Sequence, residues 1–523
     1  MKALSVLQQI SFKENARVNS RLYYLTEHLT LPAILLWAVI IRLWDLRQPF
    51  IGDYAWNEVY YAYIARWFFQ GNLLEQYDIH TGAPVYSFPL VPWLIHGSFR
   101  LFGVVEWAAR LPMLVFGLLA LAILFLLVRI LYDHRLALVA TFLAAIVPGI
   151  VFFSRNVQLD GVMTTLGLGA LLAMVIFRRN GQYIWLGISL LLFALAILAK
   201  YPAVLFWPAL AWVWFDNGTQ WRNRHRWLGL IIFTGIALVP TLLWITWSLS
   251  TLPVVGLEPK SEGLSARDYF FRFDEWSLIN FNRAFQAIWS NSIRHLGSLI
   301  WYLGILLALF TLAKGQSRET LRKYILPILL IIPWFLQIVY PLAWIDNEYY
   351  DYPALYGACI LLAAMGLAAF DQVATWFNLY GRGLRIVALL IVGLILFSNT
   401  WDYKESFHRS YYPWPLIEEP EPYYSARQVA AMNTDHKPVL TDVAFTLYYT
   451  GATVPDQGKY MWWFWSDDPI IEAIKSEQFE YIVFTYPPTI DIMNAIHNSK
   501  YEQFAPAAWH KLSDITSMKA EGQ

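Results

Sequence analysis

A single cysteine, Cys359, occurs in the 523 residues, which excludes an internal disulfide and any cysteine-rich metal site. Charge is almost as scarce. Charged side chains make up 15% of the chain, against roughly 25% in an average soluble protein. Lys plus Arg and Asp plus Glu are 38 each, so the formal net charge is zero. Without a surplus of cations to neutralise phosphates, nucleic acid is excluded as the main partner. The 58% hydrophobic content excludes a disordered chain. The 10 histidines have no metal-ligand spacing, which argues against a structural zinc site. There is no internal repeat and no low-complexity tract. What the chain holds in excess is aromatic: Trp 26, Tyr 31 and Phe 33. Amphipathic rings in that number suit long membrane interfaces. The composition is that of a membrane protein.

A bilayer core takes roughly 20 apolar helical residues per crossing. Such runs lie at Leu31 to Trp44 and near 106–128, 136–153, 161–177, 182–199, 202–215, 227–248, 296–313, 324–341, 353–370 and 386–399. They predict an α-helical polytopic protein with about 11 transmembrane helices. A polar stretch precedes the first run, which therefore reads as an uncut span and not as a signal peptide. Basic residues gather in alternate connectors: Arg129 and Arg135, Arg178 and Arg179, Arg222 to Arg226, Lys314 to Lys323, and Arg382 with Arg385. The positive-inside rule assigns these to the cytoplasm together with the amino terminus. The carboxyl terminus and the segments Asp45 to Glu106 and Leu249 to His295 then fall outside the cell membrane.

The chain divides into a membrane domain over 1–400 and a small soluble α/β domain over 401–523 on the outer face. In the first outer loop, Tyr60, Ile64, Trp67 and Phe68 recur at helical spacing. Ala62 and Ala65 near the face of Glu58 would leave room around its carboxylate. A second apolar, aromatic segment runs from Pro89 to Phe102, and both segments read as helices lying in the interface. Prolines 413, 415, 420 and 422 mark a stiff linker. Beyond it, 438–447 and 480–486 have strand character, with a helix over 468–476.

Ionisable groups at the outer boundary are the candidates for chemistry, because charge there is costly unless it serves a purpose. Asp53 and Glu58 follow the first span, Asp160 ends the stretch Ser154-Arg155-Asn156-Val157-Gln158-Leu159-Asp160, Lys200 separates two spans, and Asp346, Glu348 and Asp351 precede a late one. Each also has a plainer role. Asp53 and Glu58 would be solvated acids near a helix start that Asn57 caps. Asp160 would cap its span, Lys200 and Arg155 would snorkel to headgroups, and the Asp346 cluster would form a wet rim. The sequon at Asn217 falls on the cytoplasmic side and is silent.

The ordered set of an outer loop with acids before Tyr60-Tyr61-Ala62-Tyr63-Ile64-Ala65-Arg66, then Pro89-Leu90-Val91-Pro92-Trp93-Leu94, Phe102-Gly103, Glu106-Trp107-Ala108-Ala109-Arg110-Leu111-Pro112 and the Ser154–Asp160 stretch resembles a known family. It is similar to the GT-C glycosyltransferases of the protein O-mannosyltransferase and lipid A aminoarabinose transferase type (PMT/ArnT-like). The motifs cover roughly 40–205; the rest agrees in layout. The resemblance implies a hexosyl- or pentosyltransferase that moves a sugar from a polyprenyl-phosphate carrier, with inversion, to an acceptor hydroxyl on a lipid, glycan or protein outside the cytoplasm. It implies an acid of the first outer loop as general base and cations holding the donor phosphate. In some relatives it also implies a divalent metal ion, for which Asp53, Glu58 and Asp160 are the available ligands here.

Two departures leave roles open. Asn57-Glu58 stands where the family has adjacent Asp-Glu, with an acid displaced to Asp53, so the base is either Asp53 or Glu58. Phe88 stands where some relatives carry a lysine, so Lys200, Arg155 or Arg66 must hold the donor phosphate. Glu348 before Tyr349-Tyr350 replaces a family histidine at the acceptor rim, and Asp160 would orient the acceptor or a metal. A transporter or flippase of lipid-linked sugars is the rival reading, although transporters tend to show internal repeats and helices broken at midplane. A membrane scaffold displaying the outer domain is the third, and it leaves the first-loop acids without a use.

Overall fold

The computed structural model describes residues 30–44, 46–50, 55–69, 71, 73–74, 76, 88–215, 220–251, 278–314, 318–335, 351–377, 382–408, 421–434, 437–441, 448–450, 458–460, 468–484 and 487–512. Asp53, Asp346, Glu348 and Tyr349 lie outside these residues.

Each of the apolar runs is helical over its described part. Among the described residues, five helices are long and apolar enough to cross a membrane: Glu106–Leu131, Leu159–Asn180, Arg224–Trp247, Tyr352–Trp376 and Ile386–Glu405. A sixth counts if the bent pair Phe285–Leu296 and Ser298–Ala313 is one span. The other runs form shorter apolar helices, Thr30–Leu43, His134–Ile146, Tyr183–Ala199, Tyr201–Trp214 and Lys323–Trp334. The run at 136–153 is not one helix. It breaks at Val147 (ψ 122°), and Pro148 begins a new helix, Pro148–Phe153. Proline disfavours helical geometry at the residue before it and suits the first helical turn, so the break falls where the sequence dictates. The bent pair turns through 109° at Gly297, whose φ of +84° lies in the region that favours glycine.

Local signals set the other boundaries. Asp133 caps His134–Ile146 by accepting from the Leu136 backbone N–H at 2.8 Å. Gly181 in the left-handed conformation ends Leu159–Asn180 and donates its N–H to the Phe177 carbonyl. This helix forms the centre of the bundle, with 94% of its apolar window buried, whereas Ile386–Glu405 is 11% buried and stands on the outside. The two segments of the first outer loop are helices as well, Ala55–Trp67 and Leu90–Phe102, and both pack into the bundle core through Val59, Ala62, Tyr63, Val91, Ile95 and Phe99.

The carboxyl-terminal region forms a five-stranded sheet in the order β2-β1-β3-β5-β4 (β1 Val439–Thr441, β2 Gly458–Tyr460, β3 Tyr481–Val483, β4 Tyr501–Ala505, β5 Ala508–Lys511). β1 runs parallel to β2 and β3, and β5 is antiparallel to β3 and β4. Side chains alternate across a strand, and here the two faces serve different cores. Leu440, Ile482 and Trp509 face the helices Asp468–Lys475 and Ile490–His497, while Val439, Tyr481, Val483 and Ala508 join the same apolar cluster as the bundle. The helix Glu421–Met432 lies between, contributing Tyr423, Ala426 and Val429 to that shared core. The helix near 468–476 is present, and the predicted stretches 438–447 and 480–486 hold strands at Val439–Thr441 and Tyr481–Val483, with 442–447 and 485–486 outside the described residues. Part of the predicted proline linker is the start of the helix Glu421–Met432.

Candidate active site

The Ser154–Asp160 stretch is a polar connector between two buried helices, Pro148–Phe153 and Leu159–Asn180. Polar groups so placed must find partners or cost free energy, and these find them in four separate elements. Ser154 Oγ accepts from Arg42 Nε at 2.8 Å. Arg155 Nη1 donates to the Tyr403 hydroxyl at 2.9 Å. The Val157 backbone N–H donates to Glu58 Oε1 at 3.1 Å, and Asn57 Nδ2 donates to Gln158 Oε1 at 3.3 Å. Asp160 receives Lys200. The connector is therefore the hub on which the helix Ala55–Trp67 is mounted.

Glu58, in the first turn of Ala55–Trp67, is 1% exposed. Arg110 grips it with two parallel bonds, Nε to Oε1 at 2.8 Å and Nη2 to Oε2 at 2.6 Å. The remaining Arg110 nitrogen, Nη1, donates to the carbonyls of Leu46 and Gln48, and the guanidinium lies 5.0 Å from the Phe50 ring. Fork-to-carboxylate geometry with every charge satisfied is what a buried pair requires. In this arrangement the carboxylate is committed to structure: Oε1 accepts from Arg110 and from the Val157 N–H, Oε2 accepts from Arg110, and the side chain is 2% exposed.

Asp160 begins Leu159–Asn180, and Lys200 closes Tyr183–Ala199. Lys200 Nζ donates to Asp160 Oδ1 at 3.0 Å and to Oδ2 at 2.8 Å, with the two side chains 10% and 1% exposed. Lys200 thus turns inward to a carboxylate and does not snorkel, and the N-cap position of the helix is Gln158, not Asp160. A second pair stands nearby in the bundle. His295 Nδ1 is 2.8 Å from both oxygens of Asp351, and its ring meets Phe153 edge-on at 5.3 Å.

The proposed phosphate cations are not gathered on one spot. Arg155 is 1% exposed, tied to Tyr403, with Nε and Nη2 buried and lacking a hydrogen-bond partner. Arg66, in the last turn of Ala55–Trp67, donates to the Tyr448 carbonyl at 3.1 Å and lies over the Tyr448 ring. Eight residues of helix separate it from Glu58, about 12 Å along the axis. Arg155 is thus enclosed in the bundle and not extended toward a headgroup. Of the possible metal ligands, Glu58 is paired with Arg110 and Asp160 with Lys200, and Asp53 lies outside the described residues. Among the described residues no group of three or more His, Cys, Asp or Glu side chains is placed to hold a metal ion.

Four partners carried no assigned role in the sequence. Arg110 stood in the quoted Glu106–Pro112 motif, unassigned. Arg42 is a fully buried arginine inside an otherwise apolar helix, a signal that intramembrane charge always gives. Tyr448 and Tyr449 had no local signal. Gly117 is a further silent partner. A Cβ there would stand 2.4 Å from Ser154 Cβ, so the helix Glu106–Leu131 approaches the hub only because this position has no side chain. Gly117→Val is therefore expected to displace Ser154 and lower the thermal midpoint in detergent by several degrees. A midpoint equal to wild type would show that the approach carries no strain.

A large apolar groove of about 1010 Å³ lies away from these ion pairs, lined by residues such as Trp37, Phe142, Leu307, Phe370 and Ile395, and includes none of the candidate side chains.

The architecture is thus a polytopic helical bundle with interfacial-type helices in its first long loop, a hub of buried ion pairs at one end, and a small α/β unit fused to that end. Residues 83–244 match the sequence model of the dolichyl-phosphate-mannose-protein mannosyltransferase family. The fold is similar to ArnT from Cupriavidus metallidurans bound to undecaprenyl phosphate, with TM-score 0.61 and 17% identity over 93% of this chain and 98% of that one. The apo state of the same protein aligns with TM-score 0.60 and 18% identity, covering 92% of this chain and 96% of that one. The Archaeoglobus fulgidus oligosaccharyltransferase in its apo form aligns with TM-score 0.56 and 14% identity, over 87% of this chain and 69% of that one. A search of curated protein sequences finds no match. The PMT/ArnT-like resemblance read from the motifs agrees with the matched segment, which overlaps them, and with the ArnT-like fold.

Proposed function

We propose that this protein is a membrane glycosyltransferase that moves a sugar from a polyprenyl-phosphate carrier to an acceptor hydroxyl on the extracytoplasmic face, with inversion. The observation that carries this reading is the hub. In a fold shared with ArnT bound to undecaprenyl phosphate and with the archaeal oligosaccharyltransferase AglB in complex with a dolichol-phosphate, buried ion pairs tie the acid-bearing first outer loop to the Ser154–Asp160 connector. A scaffold has no use for such costly burial of charge.

Asp53 is the general base in this proposal, because Glu58 is committed to Arg110. The acceptor oxygen attacks the anomeric carbon from the face opposite the phosphate. A bond forms from oxygen to carbon, the carbon–oxygen bond to phosphate breaks, Asp53 takes the hydroxyl proton, and polyprenyl phosphate leaves. Lys200, held by Asp160, is the cation assigned in this proposal to meet the charge developing on the leaving phosphate. Arg155 and Arg66 fix surrounding elements. Glu348 and Tyr349 form the acceptor rim. The amino terminus is cytoplasmic, and the unit beyond 400 stands outside as a separate domain. No step is routed through a metal, since Glu58 and Asp160 are both paired with cations.

The test is a transfer assay with the purified protein, a polyprenyl-phosphate sugar and mass spectrometry of the lipid and acceptor fractions. Donor is expected to be consumed, with release of polyprenyl phosphate, only when an acceptor hydroxyl is supplied. Passage of intact donor across proteoliposomes lacking any acceptor, with no donor cleaved, would establish the flippase instead.

A further inference from the structure

The backbone of Phe50 is held on both sides by tyrosines that come from nearly 400 residues later in the chain. Its N–H donates to the Tyr449 hydroxyl at 2.8 Å, and its carbonyl accepts from the Tyr423 hydroxyl at 2.7 Å. Tyr449 then donates its own proton to Glu106 Oε1 at 2.9 Å, at the start of the helix that carries Arg110. Arg427 stands 3.6 Å from the same carboxylate oxygen, and Arg66 reaches the Tyr448 carbonyl from the far end of the helix that carries Glu58. The Phe50 ring is fully buried between Arg110 on one side and Tyr448, edge-on at 5.5 Å, on another. Burial, with the Glu106 charge next, raises the Tyr449 hydroxyl well above its ordinary pKa, so it stays protonated and keeps donating.

From these contacts we infer that the soluble unit is a positioning part of the active site: Tyr449 and Tyr423 fix the first outer loop against the Arg110–Glu58 clamp. The contacts reach three separate elements of the membrane domain: the 46–50 segment, the start of Glu106–Leu131 and the end of Ala55–Trp67. A domain that merely docked would need apolar area. Here it also supplies, to a single residue of the loop, both backbone hydrogen bonds that a buried peptide demands. That residue lies three positions before Asp53 in sequence. The catalytic consequence rests on the reading of Asp53 as base, because a shift of about 1 Å in a reacting group can cost about 10²-fold in rate.

Tyr449→Phe keeps the ring and removes the hydroxyl. The experiment combines hydrogen–deuterium exchange of the full-length protein in nanodiscs with steady-state transfer. Exchange is expected to rise in peptides covering 46–50 and 55–58 and to stay at wild-type levels in peptides covering 481–483 and 501–511. The transfer rate constant kcat should fall about tenfold with donor KM unchanged. Tyr501→Phe, which removes a bond internal to the soluble unit, should change neither. Tyr423→Phe should reproduce the Tyr449→Phe pattern. Unchanged exchange over 46–58 in both variants overturns the clamp, as does an exchange increase shared equally by the whole soluble unit. A local exchange increase with kcat unaltered overturns the positioning role while leaving the contact intact. Absence of transfer by the wild type, with the local exchange increase present, sinks the glycosyltransferase reading and leaves the clamp standing.

Discussion

Arg110→Ala is expected to destabilise the protein by about 3–5 kcal/mol, the usual consequence of leaving a buried charge without its partner. Glu58 would keep only the Val157 N–H, in surroundings where its side chain is 2% exposed. The carbonyls of Leu46 and Gln48 would lose their donor at the same time. The measurement is the thermal midpoint of monodisperse protein in detergent, followed by size-exclusion chromatography. Glu58→Ala should be nearly as damaging, since it strands the guanidinium. The double replacement Glu58→Leu with Arg110→Met should recover much of the loss, because exchanging a buried ion pair for apolar side chains of similar volume is often neutral. Recovery of stability without recovery of transfer would mean that the pair is kept for the geometry it imposes on the loop. An Arg110→Ala protein as stable as wild type would show that the clamp does not hold the loop.

The fold was legible to the extent that one physical pattern dominated it. Apolar runs of membrane length translate directly into helices, and the ordering of Leu31–Trp44, 106–128, 161–177 and the later runs matches helices in the bundle. Positions where a run hid a break needed a second rule, as Pro148 shows. The site was only half visible. Glu58, Asp160 and Lys200 stood out as charges beside apolar runs, but sequence spacing cannot reveal that Lys200 crosses 40 positions to reach Asp160 or that Arg110 crosses 52 to reach Glu58. Such pairs are set by helix packing. Tyr449 was less visible still, because nothing local distinguishes a tyrosine that pairs with Phe50 from one in a domain core. The same limitation left the base ambiguous. Two acids five residues apart look alike in sequence; Glu58 is buried and paired with Arg110, while Asp53 lies outside the described residues.

That separation leads to the second large effect. Asp53→Asn is expected to lower kcat by about 10²–10⁴-fold, the range that a positioned general base contributes, while the thermal midpoint stays within a degree or so of wild type. Glu58→Gln should show the opposite balance. An amide keeps one oxygen for Val157 but loses the charge that Arg110 requires, so stability falls first and activity follows it. The pH dependence distinguishes the two roles further. If Asp53 takes the acceptor proton, kcat/KM in the wild type climbs with pH as its carboxyl ionises, and the asparagine variant lacks that limb. Glu58→Gln, measured at a temperature where it remains folded, should retain it, since the group that titrates is still present. A residual limb in Asp53→Asn that vanishes in Glu58→Gln would reverse the assignment. It would place the acceptor hydroxyl at Glu58, whose Oε2 accepts a single bond, from Arg110, whereas Oε1 already accepts two.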